Sequence, residues 1–195
     1  MKYDRAFADY FSKVNSFSSG DARRFLEKHG ASEAYIRLFL HNQAAKKRVF
    51  RITRGSYTLA GNEAVIGFAF RPFYYGMEYA MTLRRIWTQV SNPVIITSTN
   101  AVPGIRVAMG RRIVIRRMSG QGFFGYKYMD YSGIQVPVSE TEKILVDFIY
   151  YRIGIGNEYF SKLAELSDKK KLALYAKRSG RRTAAGVERV LCSLS

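Results

Sequence analysis

Residues 18–59 read SSGDARRFLEKHGASEAYIRLFLHNQAAKKRVFRITRGSYTL, and the order of elements in this run decides the fold. Ser18-Ser19-Gly20-Asp21 has the form of a capping box. It opens a helix that carries Ala22, Phe25 and Leu26 inward and reaches His29. Gly30 supplies the left-handed residue that ends a helix at little cost. Ser32, with Glu33 in the first turn behind it, caps a second helix that runs to about Ala45. Ile36, Phe39, Leu40 and Gln43 form the anchoring face of that helix. Val49, Phe50, Ile52, Tyr57 and Leu59 then flank a short Arg54-Gly55-Ser56 turn, the pattern of a hairpin. Helix, turn, helix and basic hairpin together predict a winged helix-turn-helix.

Upstream, Ala6, Phe7, Tyr10, Phe11 and Val14 recur at helical spacing over Asp4–Val14, and Asn15-Ser16 breaks the pattern. Downstream, Ala60-Gly61-Asn62 reads as a hinge, which divides the chain into residues 1–61 and 62–195. In the second part, Ile66 to Gly76 leads into a helix ending near Trp87, with Met77, Ala80, Met81 and Leu83 inward. Strand patterns follow at Pro93–Thr97, Ile105–Met109, Arg112–Arg117, Phe123–Tyr131 and Ile134–Val138. Ser139-Glu140-Thr141-Glu142 reads as another capping box, with Glu142 as its acidic member. It opens a helix through Ile144, Leu145, Phe148 and Ile149. Helices are expected again over Glu158–Leu166, Lys169–Lys177 and Thr183–Leu194. The predicted fold is α+β: a winged helix-turn-helix, then an α+β domain with a mostly antiparallel sheet and C-terminal helices.

The formal charge is +17 over 195 residues. It divides as +7 over residues 1–61, +5 over 62–153 and +5 over 154–195, so no single basic tail carries it. Such an excess favours polyanions, because each neutralised phosphate releases condensed counterions. One cysteine, Cys192, excludes an intrachain disulfide and a multi-cysteine zinc site and suits a reducing compartment. The start, Met1-Lys2-Tyr3-Asp4-Arg5, lacks a signal-peptide core, and the longest uncharged run (86–105) is broken by Pro93 and Pro103. The expectation is a cytoplasmic protein with no membrane span.

On the second helix, Ser32, Glu33, Tyr35, Arg37, His41 and Asn42 are the candidates for contact with duplex DNA. Arg can read guanine and Asn adenine in the major groove, and Tyr35 can stack on sugar or donate to phosphate. Lys46, Lys47, Arg48, Arg51, Arg54 and Ser56 supply phosphate contacts along the hairpin. A second basic patch is expected from Arg106, Arg111, Arg112, Arg116 and Arg117, joined by Lys169, Lys170 and Lys171.

Catalytic patterns are missing. The only histidines, His29 and His41, both lie in the helix-turn-helix, and no phosphate-loop or metal-ligand spacing occurs. Asp130 with Glu142-Lys143 has the flavour of a nuclease site. Adjacent Glu and Lys on a strand, however, would point to opposite faces. No enzyme activity, cofactor or metal is expected.

Phe70-Arg71-Pro72-Phe73-Tyr74-Tyr75-Gly76, Asn92-Pro93-Val94-Ile95-Ile96-Thr97, Phe123-Phe124-Gly125 and the run from Val136 to Asp147 resemble the AbiE-type antitoxins. These are winged-helix regulators of viral-defence and type IV toxin–antitoxin operons. The likeness spans roughly residues 19–152 and is most specific at Phe-Phe-Gly and at acid-Lys-x-Leu-x-Asp. It implies an N-terminal domain that represses its own promoter, a C-terminal domain that counters a toxin, and a nucleotidyltransferase-like toxin encoded alongside. It places the recognition helix at 32–45, the wing at 48–59, and Glu142, Lys143 and Asp147 in a structural role. Leu83-Arg84-Arg85-Ile86 departs from the family, where many relatives have a glycine-containing turn. The expected function is a sequence-specific DNA-binding transcriptional regulator. The alternatives are a protein-interaction antitoxin module and a structured-RNA-binding protein acting through the basic surface.

Overall fold

Ser18 caps its helix as its spacing requires. Its hydroxyl accepts from the Asp21 amide at 3.0 Å, while the Asp21 carboxylate accepts from the Ser18 amide at 2.8 Å. In this computed structural model, which describes residues 3–193, the first elements are α1 (Asp4–Phe11), β1 (Phe17–Ser18), α2 (Ser19–Lys28) and α3 (Glu33–Ala45). Gly30 takes φ +77° in the turn, and the Ser32 hydroxyl accepts from the Tyr35 amide. The hairpin follows as β2 (Phe50–Thr53) and β3 (Ser56–Thr58). Both flanking strands run antiparallel to β3, giving the order β1-β3-β2. Met1, Lys2 and Leu194, which the sequence reading included, lie outside the described residues.

Aromatic rings fill the middle of this unit. Phe7 of α1 meets Phe39 of α3 at 4.8 Å and Phe25 of α2 at 5.6 Å, and Phe11 packs on Phe17 of β1 at 4.2 Å. Each of these rings is more than nine-tenths buried. Burial of one such side chain contributes about 1.5–3 kcal/mol, so the stripe on α1 holds the helical pair together. The two residues of β1 are too few to show a period and were not read from the sequence.

Two compact units emerge. The first holds residues up to 71 together with 107–112, and the second holds 72–106 and everything from 113 onward. The first unit thus runs past the hinge placed at residue 61. The reason is a buried 3-10 helix, Glu63–Phe70, which packs on β2 and β3. Residues 107–112 join it with an ion pair from Arg111 to Glu63.

Apart from residues 107–112, which belong to the first unit, the second unit is built on β4 (Phe73–Tyr75), α4 (Met77–Leu83), β5 (Val94–Thr97), β6 (Gly104–Ala108), β7 (Arg111–Arg117), β8 (Tyr126–Tyr131) and β9 (Ile134–Ser139). The helices α5 (Thr141–Tyr151), α6 (Asn157–Glu165), α7 (Lys169–Arg178) and α8 (Arg181–Ser193) complete it. The six-stranded sheet has the order β6-β7-β5-β4-β9-β8. It is mixed rather than mostly antiparallel: β4 runs parallel to β9 and β5 parallel to β7, whereas β4–β5 and β8–β9 are antiparallel. The unread strand β4 lies between β5 and β9 and runs parallel to β9, while β6 takes the edge beyond β7, so that β7 lies parallel to β5.

Three local readings change as well. The helix expected to reach Trp87 stops at Leu83, and Arg85 just beyond it takes the left-handed conformation (φ 60°). The strand expected from Phe123 starts at Tyr126, because Gly125 has φ +74°. Ser139 does not cap α5. It closes β9 and its hydroxyl donates to the Tyr75 carbonyl, while Glu140 takes the cap position without a capping side chain.

Candidate nucleic-acid interface

On α3 the anchoring residues face inward as expected. Phe39 and Gln43 are buried, and Ile36 and Leu40 pack against the same core. Glu33, Arg37 and His41 are exposed on the opposite side, with Asn42 half-buried beside them. Arg37, His41 and Arg51 of β2 line one hollow of about 540 Å³, together with Ser19 and Arg23 of α2 and Tyr57 of β3. The N-terminus of α2 joins this surface because the Ser19 amide donates to the Gly55 carbonyl in the hairpin turn. Ser19, Arg23 and Tyr57 were not among the expected site residues. Arg23 sits one helical turn before Glu27, on the exposed face of α2, and that periodicity was the available signal.

The cations here are not free. Arg37 donates to Glu33 at 3.0 Å, and Arg23 pairs with Glu27 at 2.7 Å and reaches Glu33 at 3.9 Å. These side chains are all about half or more exposed, so each pair contributes only a few tenths of a kcal/mol and exchanges readily for another anion. Lys46 and Lys47 lie exposed just past the end of α3, and Arg54 lies exposed at the hairpin turn. Ser56 is half-buried in β3, paired with Ser18.

Two expected contacts have other partners. Tyr35 turns inward, edge-on to Tyr3 at 5.3 Å, and its hydroxyl is buried without a hydrogen-bond partner among the described residues. Burial pushes that phenol up. Its ring is thus not presented for stacking on sugar. Arg48 donates to Asp4 of α1 at 2.5 Å, beside the Gln43 amide on the same carboxylate at 2.9 Å. It clips α1 to the end of α3.

Several residues of the expected second basic patch have partners within the chain. Arg111 is paired with Glu63, Arg117 donates to the Asn100 side-chain oxygen Oδ1, and Arg106 donates to the Val102 backbone carbonyl at 2.6 Å. Arg116 lies over the Tyr151 ring at 5.1 Å with its Nε buried. Lys171 is held by Glu140 at 2.9 Å and Glu142 at 3.3 Å. Arg112, Lys169 and Lys170 remain outward. Burial raises Glu140, but hydrogen bonds from Lys171, Tyr175 and Lys127 outweigh it and hold the carboxyl at about 2.

The residues that suggested a nuclease are dispersed. Asp130 accepts from the Gly133 amide in an exposed turn, and Glu142 accepts from the Asp168 amide. Lys143 is fully buried and donates to Asp147, one turn on, at 2.5 Å, where the Tyr74 hydroxyl also donates at 3.0 Å. The Phe124 ring covers the ammonium at 4.8 Å, and Met118 Sδ lies 3.5 Å from it. Burial raises the Asp147 carboxyl, with Lys143 and Tyr74 opposing. Gly125 passes so close to the Lys143 stem and the Tyr175 ring that a Cβ there would touch both. Phe-Phe-Gly and acid-Lys-x-Leu-x-Asp therefore meet in one sealed cluster.

No helix among the described residues is long and apolar enough to cross a membrane. No family model and no curated protein matches the chain. Among solved structures it is similar to the RV2827C protein from Mycobacterium tuberculosis, with a TM-score of 0.52 and 9% identity. That alignment covers all of this chain and 79% of the other. At that identity the likeness is one of fold.

Proposed function

We propose that the chain is a sequence-specific, duplex-DNA-binding transcriptional regulator of the AbiE antitoxin kind, with its N-terminal unit a winged helix-turn-helix. One observation carries this reading: α2, α3 and the β2–β3 hairpin enclose a single hollow bordered by Arg23, Arg37, His41 and Arg51. A helix whose exposed side bears Arg37 and His41 suits the major groove, and a hairpin bearing Arg51 and Arg54 suits the adjoining phosphates. Lys46 and Lys47 extend the phosphate contact. The protein acts in the cytoplasm on its own promoter, and a nucleotidyltransferase-like toxin encoded alongside is its counterpart.

The test is fluorescence anisotropy on the duplex upstream of the chain's own gene, against a scrambled duplex and a tRNA competitor. The upstream duplex should bind at least about 10³-fold more tightly than the scrambled one. Arg37→Ala should cost roughly 1–3 kcal/mol on that duplex and little on the scrambled one. Lys47→Ala should weaken both and flatten the salt slope by about one unit. Equal affinity for every duplex, or tRNA competing as well as the upstream site, would overturn the proposal.

A further inference from the structure

The helices α6, α7 and α8 pack on α5 and border a hollow on another side. Phe160 of α6 meets Phe148 edge-on at 6.2 Å, and Gly186 of α8 leaves room for Ile149 where a Cβ would collide. The hollow has a volume of about 670 Å³. On α7 its lining is Leu172, Ala173 and Ala176, and on α8 it is Ala184, Val187 and Leu191. On α8 the spacing is i, i+3, i+7; Leu172, Ala176 and Val187 form the buried floor, and Ala173, Ala184 and Leu191 are the accessible part. α6 and α7 both pack against α5, and α8 packs against each of them. Its border carries Glu165, Lys169, Lys177 and Glu188, none of which holds an ion pair among the described residues.

We propose that a second copy of this chain packs on this face, through a two-fold interface. A two-fold contact must be self-complementary, since the same patch serves both sides. Two acids and two bases on one border meet that condition, because rotation can set each acid of one copy against a base of the other. The balance stands out on a chain of +17, most of whose surface repels another copy. Shape agrees with charge. The small alanines of the hollow leave room for a knob, and Leu174, on the flank of α7 beside Lys177, is 63% exposed. A foreign partner drawn by the net charge would be acidic and would be steered to the basic surfaces rather than to a lining that carries as many acids as bases.

Sedimentation equilibrium on the full chain, free of nucleic acid, tests this independently of any DNA-binding role. The expected result is a dimer that tightens as salt rises from about 0.1 M to about 0.5 M, because salt screens the repulsion between the two cationic bodies. Affinity for a polyanion would fall over the same range. Ala173→Glu and Leu174→Glu replace exposed side chains, so circular dichroism should be unchanged while association weakens at least about tenfold. Lys177→Glu should weaken it, and adding Glu188→Lys, which restores the balance, should recover it. A monomer at every concentration up to about 200 µM, or a dimer indifferent to both Glu variants, overturns the proposal. So does a hollow that binds only a different protein.

Discussion

Replacing Lys143 by Met keeps the aliphatic stem against Gly125 and removes the cation paired with Asp147, both side chains being fully buried. Among the described residues the charged carboxylate would then keep the Tyr74 hydroxyl as its side-chain donor, beside the Phe124 ring and Met118 that surround the vacated ammonium position. Asp147, already raised by burial, escapes by taking up a proton. Neutralising a carboxyl with an ordinary value near 3.9 costs about 4 kcal/mol at pH 7 and about 1.5 kcal/mol at pH 5. That sets a ceiling, and it agrees with the roughly 3–5 kcal/mol lost when one partner of a buried pair is removed. The sign follows from linkage. A carboxyl raised in the folded state favours folding below its unfolded value and loses that advantage as pH rises through the folded one. Relative to wild type, Lys143→Met should therefore be destabilised by about 3–4 kcal/mol at pH 7 and by less than about 2 kcal/mol at pH 5. Urea unfolding at both pH values measures this. The triple variant Lys143→Met/Asp147→Leu/Tyr74→Phe removes every polar member and should return to within about 1.5 kcal/mol of wild type. A loss below about 1 kcal/mol for the single variant, or a loss independent of pH, would refute the argument that the pair is sealed.

The other expectations can be stated briefly. Glu140 is held at about 2, well below its ordinary 4.5, so its contribution is complete above pH 4.5 and fades as pH falls toward 2. After solvent screening it amounts to about 1–2 kcal/mol, and urea unfolding of Glu140→Gln should lose its difference from wild type across that window. Glu33→Gln frees Arg37 and removes an acid from the proposed DNA face. Anisotropy should then show tighter binding to scrambled duplex, by roughly two- to fivefold, and a lower ratio of specific to non-specific affinity. Gly125→Ala meets both a positive φ and two close side chains, so thermal unfolding should show a loss of roughly 2 kcal/mol or more.

Elements set by short-range chemistry were legible in the sequence. The Ser18–Asp21 box, the Ser32 cap and Gly30 each act within four residues, and their helices lie where those signals placed them. Where the partner lies far along the chain, the same signals misled. Ser139-Glu140-Thr141-Glu142 has the letters of a capping box, but Tyr75, on the neighbouring strand, takes the hydroxyl, and Asp168 and Lys171 take Glu142. β1 and β4, with two and three residues, exist only through their neighbours, so no local period could reveal them. The candidate site shows the same division. The outward face of α3 follows from a 100° turn per residue, but Tyr35, Arg48, Arg116 and Lys171 found partners that a count of residue types does not contain.

The residues that carry the family resemblance and those that would carry recognition form separate sets. Phe124, Gly125, Lys143, Asp147 and Tyr74 converge on one buried cluster, where any change is felt as a cavity, a clash or an uncompensated charge. Glu33, Arg37 and His41 are exposed, with only solvent-screened pairs to restrain them. Physics therefore ties the first set to the scaffold and leaves the second open to change at little cost in stability. The likeness to a solved structure at 9% identity is one of fold alone. On the proposed reading, the operator of this protein is set by its own α3, and base preference should follow that surface even when transplanted into another chain with the same core.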